Sequence, residues 1–244
     1  MKEKIVKALQ QLERERNIRI LYAIESGSRA WGFPSPDSDW DVRFIYVHPT
    51  DWYLSLRNRK DTIDLGVDED LLDIGGWEWR KTLQLMRKSN VAPFEWMQSP
   101  IVYWHDVAFY RQFWEVAPGC FAPVAAIHHY LSMAMKFHEI CNSEAPVKLK
   151  RWFYGLRTAL NCKWIVERKT IPPIVFEETL VLVSDALGKR IRDLMQQKRS
   201  VDERFLFEGD AALLQLMQDC IDLAKAERNN LPGAKCDPEQ LDKL

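Results

Sequence analysis

The sequence predicts an α+β protein with an α/β N-terminal domain over residues 1–105 and an all-helical C-terminal domain over residues 106–244. Short segments of strand-forming residues, separated by turn-forming residues, occur up to about residue 105. Beyond that point the apolar residues follow helical spacing and no segment alternates with period two. Hydrophobic residues make up 47% of the 244 residues, which is enough for a packed core.

The N-terminal domain is predicted to begin with a helix and a strand. Residues 2–16 carry apolar side chains at helical spacing, namely Ile5, Val6, Leu9 and Leu12. Asn17 interrupts this pattern, and residues 18–25 are rich in strand formers. We therefore expect a helix that leads directly into a strand.

A turn-rich connection at residues 26–38 precedes a second strand. From Asp39 to Tyr46, apolar and charged side chains alternate, so one face of this strand is apolar and the other is charged. Two short strands are predicted at residues 61–67 and 71–77, around an acidic turn, and a helix follows at residues 77–88.

The C-terminal domain is predicted to consist of helices separated by prolines and glycines. Helical spacing occurs near residues 107–115, 122–141, 147–168, 176–197 and 207–228. The tail from Pro232 onward is expected to be loose.

Charge and composition exclude several classes of protein. The formal net charge is −1, from 34 basic and 35 acidic residues, so any contact with nucleic acid must be a local patch. No stretch approaches the ~20 apolar residues of a membrane span, and we expect a cytoplasmic protein without membrane contact. The five cysteines are an odd number, far apart, with no C-x-x-C pair; this favours reduced thiols over a disulfide or a zinc site.

The pair Asp39 and Asp41 is the first candidate for chemistry. Side chains two residues apart on a strand share one face, so the backbone forces these carboxylates together. Two like charges about 4 Å apart repel by roughly 4 kcal/mol at an effective dielectric near 20, and we expect a positive charge between them. Mg²⁺ suits such oxygen ligands, but Arg43 on the same face would also neutralise the pair as a salt bridge, and a solvated strand end is a third explanation.

The segment before the aspartates favours a phosphate site. Gly27 allows close approach of a ligand to the backbone, and the N–H groups that follow, with the Ser28 hydroxyl, are able to bind phosphate. Arg29 adds a positive charge at the same place.

These residues resemble the signature of polymerase-beta-type nucleotidyltransferases, which have a glycine-serine turn followed by paired aspartates. The chain resembles most closely the RNA-repair-pathway polymerase-beta family, in three blocks: GSRAWGFPSPDSDWDVRFIYV, LDIGGWEWRKTLQLMRKSNVAPFEWMQSPIVY and KLKRWFYGLRTALNCKWI. Trp79 and Arg151 depart from the usual aliphatic residue and lysine of that family. The resemblance implies a nucleotidyltransferase-like N-terminal domain, with a mixed sheet and flanking helices.

The resemblance also implies roles for individual residues. Asp39, Asp41 and a third carboxylate would bind Mg²⁺ or Mn²⁺ and act in catalysis, while Gly27, Ser28, Arg29 and Arg43 would bind the nucleotide. Asp73, at the end of a short apolar strand, matches the region of the third carboxylate. Asp64 is the rival for this role, and a helix N-cap is the alternative role for Asp73.

One face of the helix from Val147 completes the candidate set. Lys150, Tyr154 and Arg157 recur there at helical spacing beside an apolar stripe. An ordinary solvated helix flank explains this face from the residues alone, whereas the resemblance implies that it binds the triphosphate and base of the nucleotide.

The expected function is transfer of a nucleoside monophosphate from an NTP to a hydroxyl acceptor, with pyrophosphate release. The acceptor would be an RNA end or another hydroxyl compound. The basic stretches at residues 148–169 and 189–204 would guide an RNA end, although solvated helix surface is the usual explanation of such stretches. Two alternatives stay open: a non-catalytic nucleotide- or RNA-binding regulator, and a protein AMP-transferase of the toxin-antitoxin type with a protein acceptor.

Overall fold

The computed structural model describes residues 1–143, 146–234 and 236–243, and it confirms the α+β class. A five-stranded sheet has the order β3-β4-β2-β1-β5, in which β2 and β4 are parallel and the other neighbours are antiparallel. Its strands are β1 (Arg19–Glu25), β2 (Trp40–Val47), β3 (Thr62–Val67), β4 (Leu72–Glu78) and β5 (Val102–His105). A two-stranded ladder joins β6 (Val147–Lys148) to β7 (Leu206–Phe207).

Helices precede, interrupt and follow the sheet. They are α1 (Lys2–Arg16), α2 (Gly27–Trp31), α3 (Thr50–Tyr53), α4 (Trp79–Arg87), α5 (Val91–Trp96), α6 (Val107–Cys120), α7 (Pro123–Ser143), α8 (Leu149–Arg168), α9 (Asp185–Ser200), α10 (Ala211–Glu227) and α11 (Pro238–Leu241). Short 3₁₀ helices cover Phe176–Leu182 and Arg228–Asn230. None of the helices in the described ranges combines the length and apolar character that a membrane span requires.

Most predicted elements are confirmed, and the differences have local causes. The predicted turn after β1 begins with α2, and the predicted helix at residues 176–197 is a 3₁₀ helix followed by α9. The two are separated because Ser184 has an extended backbone and its hydroxyl accepts from the Leu187 N–H as the N-cap of α9. The short elements α5 and β5 were not predicted.

The sheet separates two apolar layers. On one face, Val42, Phe44 and Tyr46 of β2 pack with α1. On the other face, Ile45 belongs to a core that continues into α6, α7, α8 and α10. Because this core is shared, the boundary between residues 105 and 106 stays a prediction, although β5 ends and α6 begins there. The face of β2 that carries Asp41 and Arg43 is the one directed toward the helical part.

The expectations of reduced cysteines and a loose C-terminal tail are wrong. Cys120, at the end of α6, forms a disulfide with Cys236, while Cys141, Cys162 and Cys220 are buried. Leu241 in α11 is buried as well, so the tail is anchored at Cys236 and Leu241, although most of its described residues are exposed. A separation of 116 residues gives no sequence pattern by which this pair could be recognised.

Candidate active site

The two aspartates of the D-x-D pair lie at the start of β2 and differ in exposure. Asp39 is exposed immediately before the strand, whereas Asp41 is half-buried inside it. Val42, between Asp41 and Arg43, is fully buried in the core under α1. The alternation of the strand therefore anchors one face and directs the Asp41 carboxylate to the other, as predicted.

Gly27 lies directly under the Asp41 carboxylate. Its φ angle is +62°, and a Cβ at this position would overlap Asp41 Oδ2. The Ser26 N–H donates to the backbone oxygen of Asp41 at 2.7 Å, which fixes the turn against β2. Only glycine satisfies both the backbone angle and the close approach. The glycine-serine turn and the aspartate are thus parts of one site.

Asp73 is brought beside Asp41, and Asp64 is not. In the parallel pair of β2 and β4, Asp41 and Asp73 are direct partners. Asp64 lies opposite Gly75 on the edge strand β3, is exposed, and accepts from the Gly66 N–H at 3.0 Å. The N-cap of α4 is Glu78, so the structure does not use Asp73 as a helix cap.

Arg43 lies between the two carboxylates but binds one of them more closely. Its Nη2 donates to Asp73 Oδ2 at 2.7 Å and is 3.5 Å from Asp41 Oδ1. Its Nη1 donates to the backbone oxygens of Val42 and Asp73 at 2.9 and 3.1 Å. Arg43 therefore neutralises mainly Asp73. Its salt bridge to Asp41, which would compete with a metal ion, is longer and weaker.

The carboxylates at this end of the sheet affect one another electrostatically. Burial raises the pKa of Asp41; the positive charge of Arg43 lowers it, and the negative charges of Asp73 and Asp39 raise it further, for a net increase. The raised pKa of Asp41 thus comes first from burial of the carboxylate and only second from the neighbouring like charges that the sequence pattern implied.

Glu25 is a buried carboxyl behind Asp41 that the sequence analysis missed. It has no exposed surface; its Oε1 accepts from the Asp41 N–H at 2.9 Å and its Oε2 from the Tyr103 hydroxyl at 2.6 Å. Burial raises its pKa, and these two hydrogen bonds oppose the rise. The sequence feature that could have identified Glu25 is an acidic residue at the end of an apolar strand, just before the glycine-serine turn.

Arg29 binds the loop that precedes β2. Its Nε donates to the backbone oxygen of Asp39 at 3.0 Å and its Nη2 to that of Ser38 at 2.6 Å. Its guanidinium carbon lies 3.9 Å from the ring centroid of Trp40. In this geometry Arg29 holds the segment that carries Asp39.

On the helical side, Lys150 and Tyr154 of α8 approach the same region. The Tyr154 ring makes an edge contact with Trp31 of α2 at a centroid distance of 5.5 Å. Burial raises the pKa of Tyr154 to about 12, with a smaller contribution from Glu203 and then Asp41. Lys150 Nζ lies 3.2 Å from Glu203 Oε2. This face of α8 is therefore directed toward the aspartates.

Arg157 is buried rather than presented to solvent. Only 4% of it is exposed, and its Nη2 donates to Glu95 Oε1 at 2.7 Å. Its guanidinium carbon lies 4.3 Å from the ring centroid of Trp31. The structure places Arg157 beneath the Trp31 side chain that Tyr154 contacts.

Two further charged residues hold the loop before β2 and were not singled out from the sequence. Lys198 of α9 is 2% exposed, and its Nζ donates to Ser35 Oγ at 2.9 Å and to Glu203 Oε1 at 3.1 Å. The Ser38 hydroxyl donates to the same Glu203 oxygen at 2.6 Å. Burial would raise the pKa of Glu203, but the hydrogen bond from Ser38 and the charge of Lys198 lower it overall.

The donor chemistry of this site fits a hard divalent cation. Among the described residues, no group of three or more His, Cys, Asp or Glu side chains is arranged to hold a metal ion. Mg²⁺, however, is usually bound by one or two carboxylates together with substrate phosphates. Within the same residues, the Asp39 carboxylate and Asp41 Oδ2 accept no hydrogen bond, so both oxygen groups remain available.

Comparisons with known proteins find a related sequence and a structural neighbour. The chain is 42% identical over 205 residues to a Bacillus subtilis (strain 168) protein named YcgL and described as uncharacterized, covering 83% of this chain and 78% of that one. A nucleotidyltransferase-like protein from Exiguobacterium sibiricum 255-15 aligns with 93% of this chain and 75% of its own, at 8% identity and a TM-score of 0.34.

The family assignment covers the whole sequence. The model of the RNA repair pathway DNA polymerase beta family matches residues 1–244, a range that includes the glycine-serine turn, the three aspartates and α8. The chain therefore belongs to the RNA repair pathway DNA polymerase beta family.

Proposed function

We propose that this protein is a Mg²⁺- or Mn²⁺-dependent nucleotidyltransferase that transfers NMP from an NTP to a hydroxyl acceptor, with an RNA end as the acceptor. Family membership supports the type of reaction. The observation that carries the proposal is the position of Asp41, which lies beside Asp73 across parallel strands and directly over the backbone of Gly27. A cation held by the carboxylates would thereby adjoin phosphate held by the turn.

In the proposed reaction, an acceptor oxygen attacks the α-phosphorus of the NTP. The new P–O bond forms as the bond to the bridging oxygen of the β-phosphate breaks, and pyrophosphate leaves. Asp39, Asp41 and Asp73 would hold the divalent ion, and Asp73 is the proposed acceptor of the hydroxyl proton. When bound, the ion would lower the pKa of the attacking hydroxyl and neutralise charge on the leaving group.

The remaining candidates bind and orient the nucleotide in this proposal. The N–H groups after Gly27 and the Ser28 hydroxyl contact the triphosphate, and Lys150 and Arg43 supply positive charge. Tyr154 would contact the base or sugar. Arg29 and Arg157, which bind protein groups in the structure, act by holding the loop of Asp39 and the Trp31 side chain in place.

The proposal is tested by incubating the protein with each α-labelled NTP, Mg²⁺ or Mn²⁺, and RNA with a free 3′ hydroxyl. Pyrophosphate release with label on the RNA is expected. The Asp41→Asn variant should lose at least about 100-fold in rate, on the order of 3 kcal/mol of transition-state stabilisation. Asp64→Asn is the matched control, since this exposed carboxylate on the neighbouring strand is expected to be dispensable.

Other results would identify the alternatives. Label on a polypeptide would indicate a protein AMP-transferase. Nucleotide binding without pyrophosphate release from any of the four NTPs would indicate a non-catalytic regulator. Unchanged turnover by Asp41→Asn would contradict the assigned site.

A further inference from the structure

A cavity of about 500 Å³ opens at the end of β2 opposite to the aspartates. The end of α1, the helix α3 and the start of β3 form its walls, and Arg16, Arg59 and Lys60 line it. From Asp41 to Val47 is six residues of strand, a distance of roughly 20 Å. The cavity is therefore separate from the candidate active site.

The positive charges around this cavity are not neutralised by neighbouring carboxylates. Over the described residues, Arg16, Arg59 and Lys60 form no ion pair, and Asp51 is the acid in the cavity wall. Several basic residues of α8 and α9 differ in this respect. The ion pairs there include Lys150 with Glu203, Arg190 with Asp210, and Arg192 with Glu177. The cations at the cavity remain available for an anionic ligand.

An aromatic surface accompanies these cations. The rings of His48 and Trp52 stack at a centroid distance of 4.2 Å and an interplanar angle of 8°. The guanidinium carbon of Arg59 lies 6.0 Å from the Trp52 ring centroid. Cations beside a stacking ring are the combination that binds single-stranded nucleic acid, since the cations contact phosphates and the ring contacts a base.

A second, smaller cleft shares residues with both the cavity and the candidate active site. This cleft, of about 270 Å³, lies on the opposite face of the sheet, and Arg43, Asp64 and Asp73 are among the residues that line it. Thr62 and Ile63 of β3 line both spaces. Because β3 is the edge strand, a flexible polymer is able to pass around it from one space to the other.

We propose that the cavity at Arg16, Arg59 and Lys60 is a second nucleic-acid site, which binds the single-stranded segment of the acceptor while its end lies at the aspartates. The identity of the acceptor rests on the proposed function. A free mononucleotide has the same phosphate and base, but it would occupy only one of the two sites. A dependence on polymer length therefore distinguishes the two ligands.

The first test measures binding of a fluorescein-labelled 12-nucleotide RNA by anisotropy, without NTP. The double variant Arg59→Ala/Lys60→Ala should weaken binding about tenfold at low salt and reduce the slope of log K against log salt by about 1.4, since each single-strand phosphate contact contributes about 0.7. Both side chains are exposed, so the variant is expected to fold. Arg111→Ala/Lys225→Ala, which removes the same charge from exposed positions on α6 and α10, is the matched control and should bind like the wild type.

The second test separates stacking from charge. Trp52→Ala should weaken binding of the same RNA about tenfold without changing the salt slope, and Trp52→Phe should retain most of the affinity. A dinucleotide, which is too short to reach both sites, should bind the wild type much more weakly than the 12-nucleotide RNA does.

The outcomes distinguish this inference from the proposed function. If the Arg59→Ala/Lys60→Ala variant has wild-type affinity and salt slope while NTP turnover is present, the inference is overturned and the function stands. Loss of RNA binding in that variant supports the site even where no NTP is consumed. Saturation of the cavity by AMP, with complete release of the 12-nucleotide RNA, would overturn the choice of a polymeric ligand.

Discussion

The two sides of the candidate active site are held in place by different forces. On the sheet side, the backbone sets the geometry: the ladder of β2 and β4 aligns Asp41 with Asp73, and Gly27 leaves room for the carboxylate. On the helical side, buried side-chain charges set it, because Lys198 and Glu203 join α9 to the loop before β2. The first arrangement depends on strand register and the second on charge.

This difference determines how each side should respond to change. A strand register cannot shift by one residue without turning every side chain to the opposite face. The folded geometry of the sheet side should therefore survive a change of charge, which would affect activity alone, but not added volume. A buried ion pair is sensitive to loss of either partner, since the remaining charge is left without compensation. The predictions that follow test each side with a matched control.

The largest effect is expected for Gly27→Ala, which tests the sheet side. The added Cβ would displace the Asp41 carboxylate, and the φ angle of +62° would be strained. We expect at least about a 100-fold loss of nucleotidyl transfer, on the order of 2.7 kcal/mol, together with roughly 1–2 kcal/mol of lost stability. Labelled-NTP assays and denaturant unfolding measure the two quantities.

Gly66→Ala is the control for this prediction. Gly66 has a similar φ of +69°, but a Cβ there would meet no atom within 4 Å. Its stability loss should be comparable and its activity close to that of the wild type. Equal activity losses in the two variants would show that backbone strain, and not the position of Asp41, limits the reaction.

The sheet side could be predicted from the sequence because the regular strand geometry that makes it rigid also produces a recognisable pattern of residues. Alternation along the strand placed Asp39 and Asp41 on one face, and helix and strand patterns located α1, β1, β2, β3 and β4. Strand pairing could not be predicted from the residues alone, so the choice of Asp73 over Asp64 depended on the family resemblance. The parallel register of β2 with β4 supports that choice. Glu25 was missed because its partners come from Asp41 and from Tyr103 of β5, a strand that was not predicted.

An intermediate effect is expected for Lys198→Met, which tests the helical side. The substitution keeps most of the side-chain volume but removes the charge that compensates Glu203 Oε1, leaving only the Ser38 hydroxyl on that oxygen. Because the Glu203 side chain is 21% exposed, we expect a loss of about 2 kcal/mol, below the range for fully buried pairs. The midpoint of urea unfolding measures it.

Lys150→Met provides the comparison, because Lys150 pairs with the other oxygen of the same Glu203. Its side chain is 37% exposed, and exposed pairs contribute less than about 1 kcal/mol. A loss in Lys150→Met as large as that in Lys198→Met would mean that burial does not govern the strength of these pairs.

The helical side was harder to predict from the sequence, since its contacts join residues that are distant in the chain. Lys198 and Ser35 are 163 positions apart, and a basic run on a helix is usually solvated surface. From the sequence, the run at residues 189–204 is therefore either solvated surface or a guide for RNA. The structure instead buries Lys198 of this run in contact with the loop before β2. Arg157 likewise has the expected position on α8 but is covered by Glu95 and Trp31, which no periodicity indicates.

The smallest effect is a pH dependence that isolates the Lys198 charge. Burial lowers the pKa of Lys198 below 10.5, and Glu203 opposes this only in part. Between the lowered pKa and 10.5 the unfolded chain binds the proton and the native protein does not, so unfolding takes up a proton and stability rises with pH. The free energy of unfolding of the wild type minus that of Lys198→Met should therefore increase toward pH 10.5, by at most about 1.4 kcal/mol per pH unit. Subtracting the variant removes the titration of the tyrosines and other lysines. A difference that stays flat or falls as the pH rises would show that Glu203 compensates Lys198 fully, and the helical side would then be no more sensitive to charge than the sheet side.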